Sequence, residues 1–188
     1  MPFLVLFIAI NFMACRGQDL NLTKKMEAKS NREALVSKAF PELKAQTLAR
    51  QNIVFPKDVM GKPTVICVAF VGNAQSLIDT WAVPILAKYP NQEVNYYEIP
   101  MINAAWGVMS GMIDGGMRSG VPKELHKNVA TYYGSLSGYK NELMMPDKKS
   151  CYVFLLDKTG IIQYVNEYSS TPEKLADLYT AIDKVNSL

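Results

Sequence analysis

Apolar and polar positions divide the chain into blocks. Thr64 to Val71 (TVICVAFV) is apolar and β-branched with no alternation, the pattern of a strand covered on both faces. Gly72 and Asn73 end it. From Gln75 to Tyr89 apolar residues return at Leu77, Ile78, Trp81, Ala82, Ile85 and Leu86, which is helical spacing. Pro84 lies inside this predicted helix, where a missing backbone donor and a clash one turn back predict a kink.

The flanking blocks are read the same way. Leu43, Ala45 and Thr47 alternate with Lys44 and Gln46, and Asn52 to Phe55 follows closely, so the two predict a half-exposed hairpin. A short helix is expected before it, over 32–38. Glu93 to Ile99 is a further strand whose alternation does not say which face is inside. Met101 to Met117 carries an apolar stripe of Ile102, Ala105, Trp106, Met109, Met112 and Ile113, predicting a helix that Gly115-Gly116 stops. That stripe is either a second core helix or an adaptable methionine-rich binding surface. Val129 to Tyr133 predicts a short strand and Ser135 to Met145 a short helix. Ser150 to Tyr164 predicts a hairpin turning at Asp157 to Gly160, where glycine can take positive φ. The last helix is signalled by Ser170 or Thr171 as cap, Pro172 at its first position and Glu173 in its first turn, with a stripe of Leu175, Leu178, Tyr179, Ile182 and Val185.

The N-terminus is of another kind. Pro2 to Ala14 is apolar except for Asn11. It is short for a membrane span, which takes ~20 residues, and it matches the apolar region of an export signal. Phe12-Met13-Ala14-Cys15 resembles a bacterial lipobox, which would make Cys15 the lipidated first residue of the mature chain. A plain export signal and a mitochondrial targeting segment are the alternatives. Gly17 to Arg32 is polar and charged, a solvated tether. The expected organisation is therefore a signal or lipobox at 1–15, a tether at 16–35 and one domain at 36–188.

Composition adds exclusions. The chain has 188 residues, 49% hydrophobic and 20% charged, which suits one domain with a full core. A formal charge of +3 with no Lys/Arg run argues against nucleic acid as a partner. Three scattered cysteines and one histidine form no visible metal-ligand spacing, and no dinucleotide or phosphate loop follows a strand. No cofactor is expected.

Gly61 through Trp81-x-x-Pro84 resembles the redox segment of the thioredoxin superfamily, in which a central strand runs into Cys-x-x-Cys at a helix start with a proline beyond. In that pattern the cysteine positions fall on Ser76 and Asp79. Aligning Asp157 and Gly160 on the family's Asp-x-x-Gly hairpin puts its cis-proline on Cys151. The Pro41 hairpin and Gly61-Lys62 are similar to the lead-in of the redoxin and thiol-peroxidase branch. Together with Tyr132-Tyr133-Gly134 and Tyr152 to Asp157, these segments resemble the mitochondrial ATP-synthase assembly factor family and its bacterial relatives. The resemblance implies an α/β, thioredoxin-like three-layer α/β/α fold with a central mixed sheet and an N-terminal hairpin. It also implies a chaperone-like role toward a membrane-embedded Fo subunit.

Dithiol exchange needs an attacking thiolate and a resolving thiol, and Ser76 and Asp79 supply neither. His126, the only histidine, falls in a loop after Pro122. Cys67 and Cys151 are expected as buried free thiols. The start of the later strand is expected beside Val71, which would hold the sulfurs apart. Copper held by methionine thioethers is a minor alternative. The function expected is a non-catalytic binding or assembly module, exported and membrane-tethered, with Trp106, Met109 and Met112 as the surface for an apolar protein partner such as a membrane-complex subunit. Its expected place is the bacterial periplasm or cell envelope, with the mitochondrial inner membrane as the alternative. The alternative function is a thiol-disulfide or peroxiredoxin-like enzyme using Cys151 alone.

Overall fold

The computed structural model describes residues 33–91 and 93–187. The proposed signal and lipobox with Cys15, and nearly all of the tether, lie outside the described residues. The chain divides after Ala34, and the unit from Leu35 onward carries the fold. Of the helix expected over 32–38, the part over 34–37 is a turn.

Seven strands form one mixed sheet: β1 (Leu43–Thr47), β2 (Asn52–Phe55), β3 (Thr64–Ala69), β4 (Asn95–Asn103), β5 (Ala130–Gly134), β6 (Cys151–Leu156) and β7 (Ile162–Glu167), ordered β2-β1-β5-β4-β3-β6-β7. β3 sits centrally, parallel to β4 and antiparallel to β6. Every residue of β3 and of β6 is buried, as two-sided cover requires. The hairpins β1–β2 and β6–β7 are where alternation and turn chemistry place them. At the second, Gly160 takes φ +87°, and Asp157 Oδ1 accepts from the Thr159 and Ile161 amides at 2.8 and 3.0 Å.

Among the described residues four α-helices accompany the sheet: α1 (Gln75–Lys88), α2 (Ser110–Gly120), α3 (Ser137–Glu142) and α4 (Pro172–Asn186). Thr171 caps α4, its side chain accepting from the Lys174 amide, with Pro172 in the first turn. α1 and α4 bury Ile78, Trp81, Ile85, Leu178, Ile182 and Val185 on one sheet face with Val65, Cys67, Cys151 and Val153. The opposite face packs Phe40, Phe55, Val68, Ile99, Met101, Leu143, Met145 and Phe154. Fully burying one such side chain contributes about 1.5–3 kcal/mol. No helix among the described residues is long and apolar enough to cross a membrane.

Two expectations are corrected. The helix expected over Met101–Met117 is three things. β4 runs on to Asn103, because Met101–Asn103 pair with Tyr132–Gly134. A 3-10 segment over Ala104–Met109 follows, opened by the Asn103 side chain accepting from the Ala105 amide. α2 then continues through Gly115 and Gly116 to Gly120, since a glycine ends a helix only where the chain turns left-handed. The stop comes at Val121, extended before Pro122. The second correction concerns the thiols. Cys151 pairs with Ala69 and not with the level of Val71, so it lies two residues from Cys67 along the neighbouring strand. Both are buried and free. They share one sheet face as diagonal neighbours, and their side chains interact.

Candidate functional site

α1 begins directly after β3, so its N-terminal turns stand at the C-terminal edge of the central strands. Ser76 and Asp79 lie in these turns, both exposed. Cys151 opens β6 and is fully buried. The one cis peptide among the described residues is Phe55–Pro56. Ser76, Asp79 and Cys151 therefore do not form one exposed group: Cys151 is buried, and Ser76 and Asp79 are exposed.

Between α1, the end of β4 and the segment carrying α2 lies a cavity of about 670 Å3, within the range of ligand sites of about 300–1,000 Å3. Ile78, Ala82, Val83 and Leu86 of α1 form one wall, and Ile113, Met117, Val121 and Leu125 the other. Its polar groups gather on Glu98, a half-buried residue of β4 next to Cys67 of β3. Glu98 Oε2 accepts from Gln75 Nε2 at 3.4 Å, and Oε1 from the Tyr96 hydroxyl at 3.1 Å. Gln75 Nε2 also donates to Asp79 Oδ1 at 2.9 Å. Burial raises the Glu98 carboxyl above its ordinary value. The Gln75 and Tyr96 hydrogen bonds oppose this, and nearby Asp79 adds to it. Tyr96 and Cys67 are pushed up well above their usual ranges, mainly by burial, so phenol and thiol stay protonated at neutral pH.

The segment Ala104–Gly120 is built inside out. The one buried residue of α2 is Asp114, whose Oδ1 accepts from the Tyr133 hydroxyl at 2.8 Å. Arg118 Nη2 is 3.9 Å from Asp114 Oδ2, and Arg118 Nε donates to the Leu48 carbonyl at 2.7 Å. This polar clip ties α2 to β5 and to the first hairpin. Of the apolar stripe, Ile102 and Ile113 are half-buried in the cavity lining, and the rest faces out. Trp106 is 54%, Met109 40% and Met112 66% exposed, and Val108 is 96% exposed. Val83 and Val71, across the cavity mouth on the α1 side, are exposed at 66% and 37%. Of the two readings of the stripe, a core helix is therefore overturned.

Sequence reasoning missed Glu98 as a site residue. Its signal was a lone acid in mid-strand between covered neighbours. His126 is half-buried, its Nε2 3.0 Å from the Val121 carbonyl. No group of three His, Cys, Asp or Glu able to hold a metal occurs among the described residues.

The family model described as ATP10 protein matches residues 28–185. No curated protein sequence matches the chain significantly. Among solved structures, yeast Sco1 with copper bound aligns at 12% identity and a TM-score of 0.54, covering 79% of this chain and 93% of that one. BsSco, a member of the Sco family of cytochrome c oxidase assembly proteins, aligns at 11% identity and 0.53, covering 81% and 98%. The exposed lipoprotein thioredoxin Etrx1 of Streptococcus pneumoniae aligns at 13% identity and 0.50, covering 76% and 99%. At these identities the likeness shows the fold alone, a thioredoxin-like one.

Proposed function

The chain belongs to the ATP10 protein family, and from that premise we propose that it is a non-catalytic assembly module that holds an apolar segment of a protein partner. Family and fold support an assembly or redox-related thioredoxin-like module. The residues favour assembly. Ser76 and Asp79 stand where thiols would be needed, and Cys67 and Cys151 are buried beyond the reach of a substrate disulfide. The observation that carries the proposal is the outward apolar ridge of Trp106, Val108, Met109 and Met112, held in place by a buried polar clip. A helix that buries its aspartate and exposes Met112 leaves apolar area facing water.

We place the module on a membrane through Cys15, a reading supported by the apolar run before it. Absence of acyl mass on Cys15 in the mature protein would overturn the tether. The binding reading is tested with Met112→Asp in the full-length chain. Capture of an apolar helical peptide should fall at least about tenfold, with stability changed by less than about 0.5 kcal/mol, as at other surface positions. Unfolding of the variant would make Met112 a core residue and remove the surface.

A further inference from the structure

We propose that the partner segment carries a single cationic side chain, lysine or arginine, which enters the cavity and pairs with Glu98. This rests on the assembly-module reading above and specifies the chemistry of what is held.

The walls of the cavity are apolar, and its lining includes two acids, Glu98 and Asp79, and no lysine or arginine. Among the described residues no cation is paired with either acid. Both rely instead on one neutral donor, Gln75 Nε2, which divides its hydrogen bonds between them, and Glu98 has the Tyr96 hydroxyl besides. The protein as a whole is net positive, at +3, so this local excess of negative charge is set by the site. A carboxylate in an apolar recess is costly unless a counter-charge completes it. A lysine or arginine on an otherwise apolar segment supplies that charge. Its methylene stem lies along Ile78, Ala82 and Met117 while its head reaches Glu98, and the apolar flanks of the same segment cover Val108, Met112 and Val83 at the rim. Such a segment is itself hard to keep in water or lipid, because its charge needs a partner. An anionic lipid surface is disfavoured by the same two acids.

The test uses the full-length chain and two Leu/Ala helical peptides, one with a central lysine and one with norleucine in its place, with binding followed by calorimetry. The lysine peptide should bind at least about tenfold tighter, the scale of one charge-assisted hydrogen bond. Glu98→Gln, which preserves shape and is checked for folding by circular dichroism, should remove the difference, and Asp79→Asn should reduce it. Equal binding of both peptides overturns the cation inference and leaves the apolar surface standing. Binding of neither overturns both. Hexylamine competing as well as the lysine peptide would make the cavity a small-amine site and overturn the segment. Self-association that the lysine peptide does not disperse would assign the ridge to a second copy, with the same consequence.

Discussion

Tyr133→Phe removes one oxygen and with it the donor that satisfies Asp114. The bond lost is 2.8 Å long and ends on Asp114, a residue only 6% exposed. A hydrogen bond to a charged group contributes about 1.5–3 kcal/mol, and leaving the acceptor buried adds to the loss. Arg118, at 3.9 Å from the other oxygen, remains and limits the damage, so about 2 kcal/mol is expected. α2 has little to absorb it with. It has 11 residues and includes Gly111, Gly115, Gly116 and Gly120, each about 1 kcal/mol worse than alanine in a helix, and a helix this short is marginal alone in water. The loss should therefore appear as local opening of α2. Amide exchange over 110–120 should accelerate about thirtyfold, since 1.4 kcal/mol is a factor of about ten, while α4 amides stay protected. The converse perturbation is Gly116→Ala, where an added Cβ meets nothing within 4 Å. It should slow the same amides by an amount equivalent to about 0.5–1 kcal/mol. Unchanged exchange over 110–120 in Tyr133→Phe would refute the claim that a polar clip, and not apolar packing, holds the ridge.

Two further predictions follow from the carboxylates. The Glu98 carboxyl sits above its usual 4.5 in the folded state, so over the window just above 4.5 the folded chain keeps a proton that the unfolded chain has released. Its contribution to stability is thus lost as pH rises through the folded value. Asp79, Tyr96 and Cys67 are the other titratable groups facing it. Glu98→Gln should gain melting temperature relative to the parent as pH goes from about 4.5 to neutral, and a constant difference would contradict the burial argument. Asp157 goes the other way. Burial works against its ionisation, but hydrogen bonds from the Thr159 side chain, the Ile161 and Thr159 amides and Gln163 outweigh it and lower the carboxyl below 3.8. Asp157→Ala should destabilise by about 2–3 kcal/mol at neutral pH, a deficit that narrows as pH falls below 3.8 and is read from urea titrations; a deficit independent of pH would refute it.

Local pattern determined most of the scaffold. A short apolar run rich in β-branched residues and closed by glycine suits a strand covered on both faces, and TVICVAFV announced the central strand as far as Ala69. The spacing of Ile78, Trp81, Ala82 and Ile85 determined which side of α1 is inside. Thr171-Pro172-Glu173 and Asp157 to Gly160 carry their cap and turn in side-chain chemistry a few residues long. These signals are local, and local geometry satisfies them wherever the segment sits. The site was decided by neighbours far away in sequence. Met101–Asn103 became strand because Tyr132–Gly134 offered a ladder to pair with. The apolar stripe of α2 turned outward because Tyr133 reaches Asp114 across 19 residues of chain, and periodicity shows that a helix has two faces but not which one the core accepts. Glu98 entered the cavity lining because β4 pairs with β3 next to α1, bringing Gln75 within 3.4 Å across 23 residues. A pattern can place a carboxylate in a strand, but only the packing of α1 and the α2 segment around it makes an apolar recess with that carboxyl in its lining.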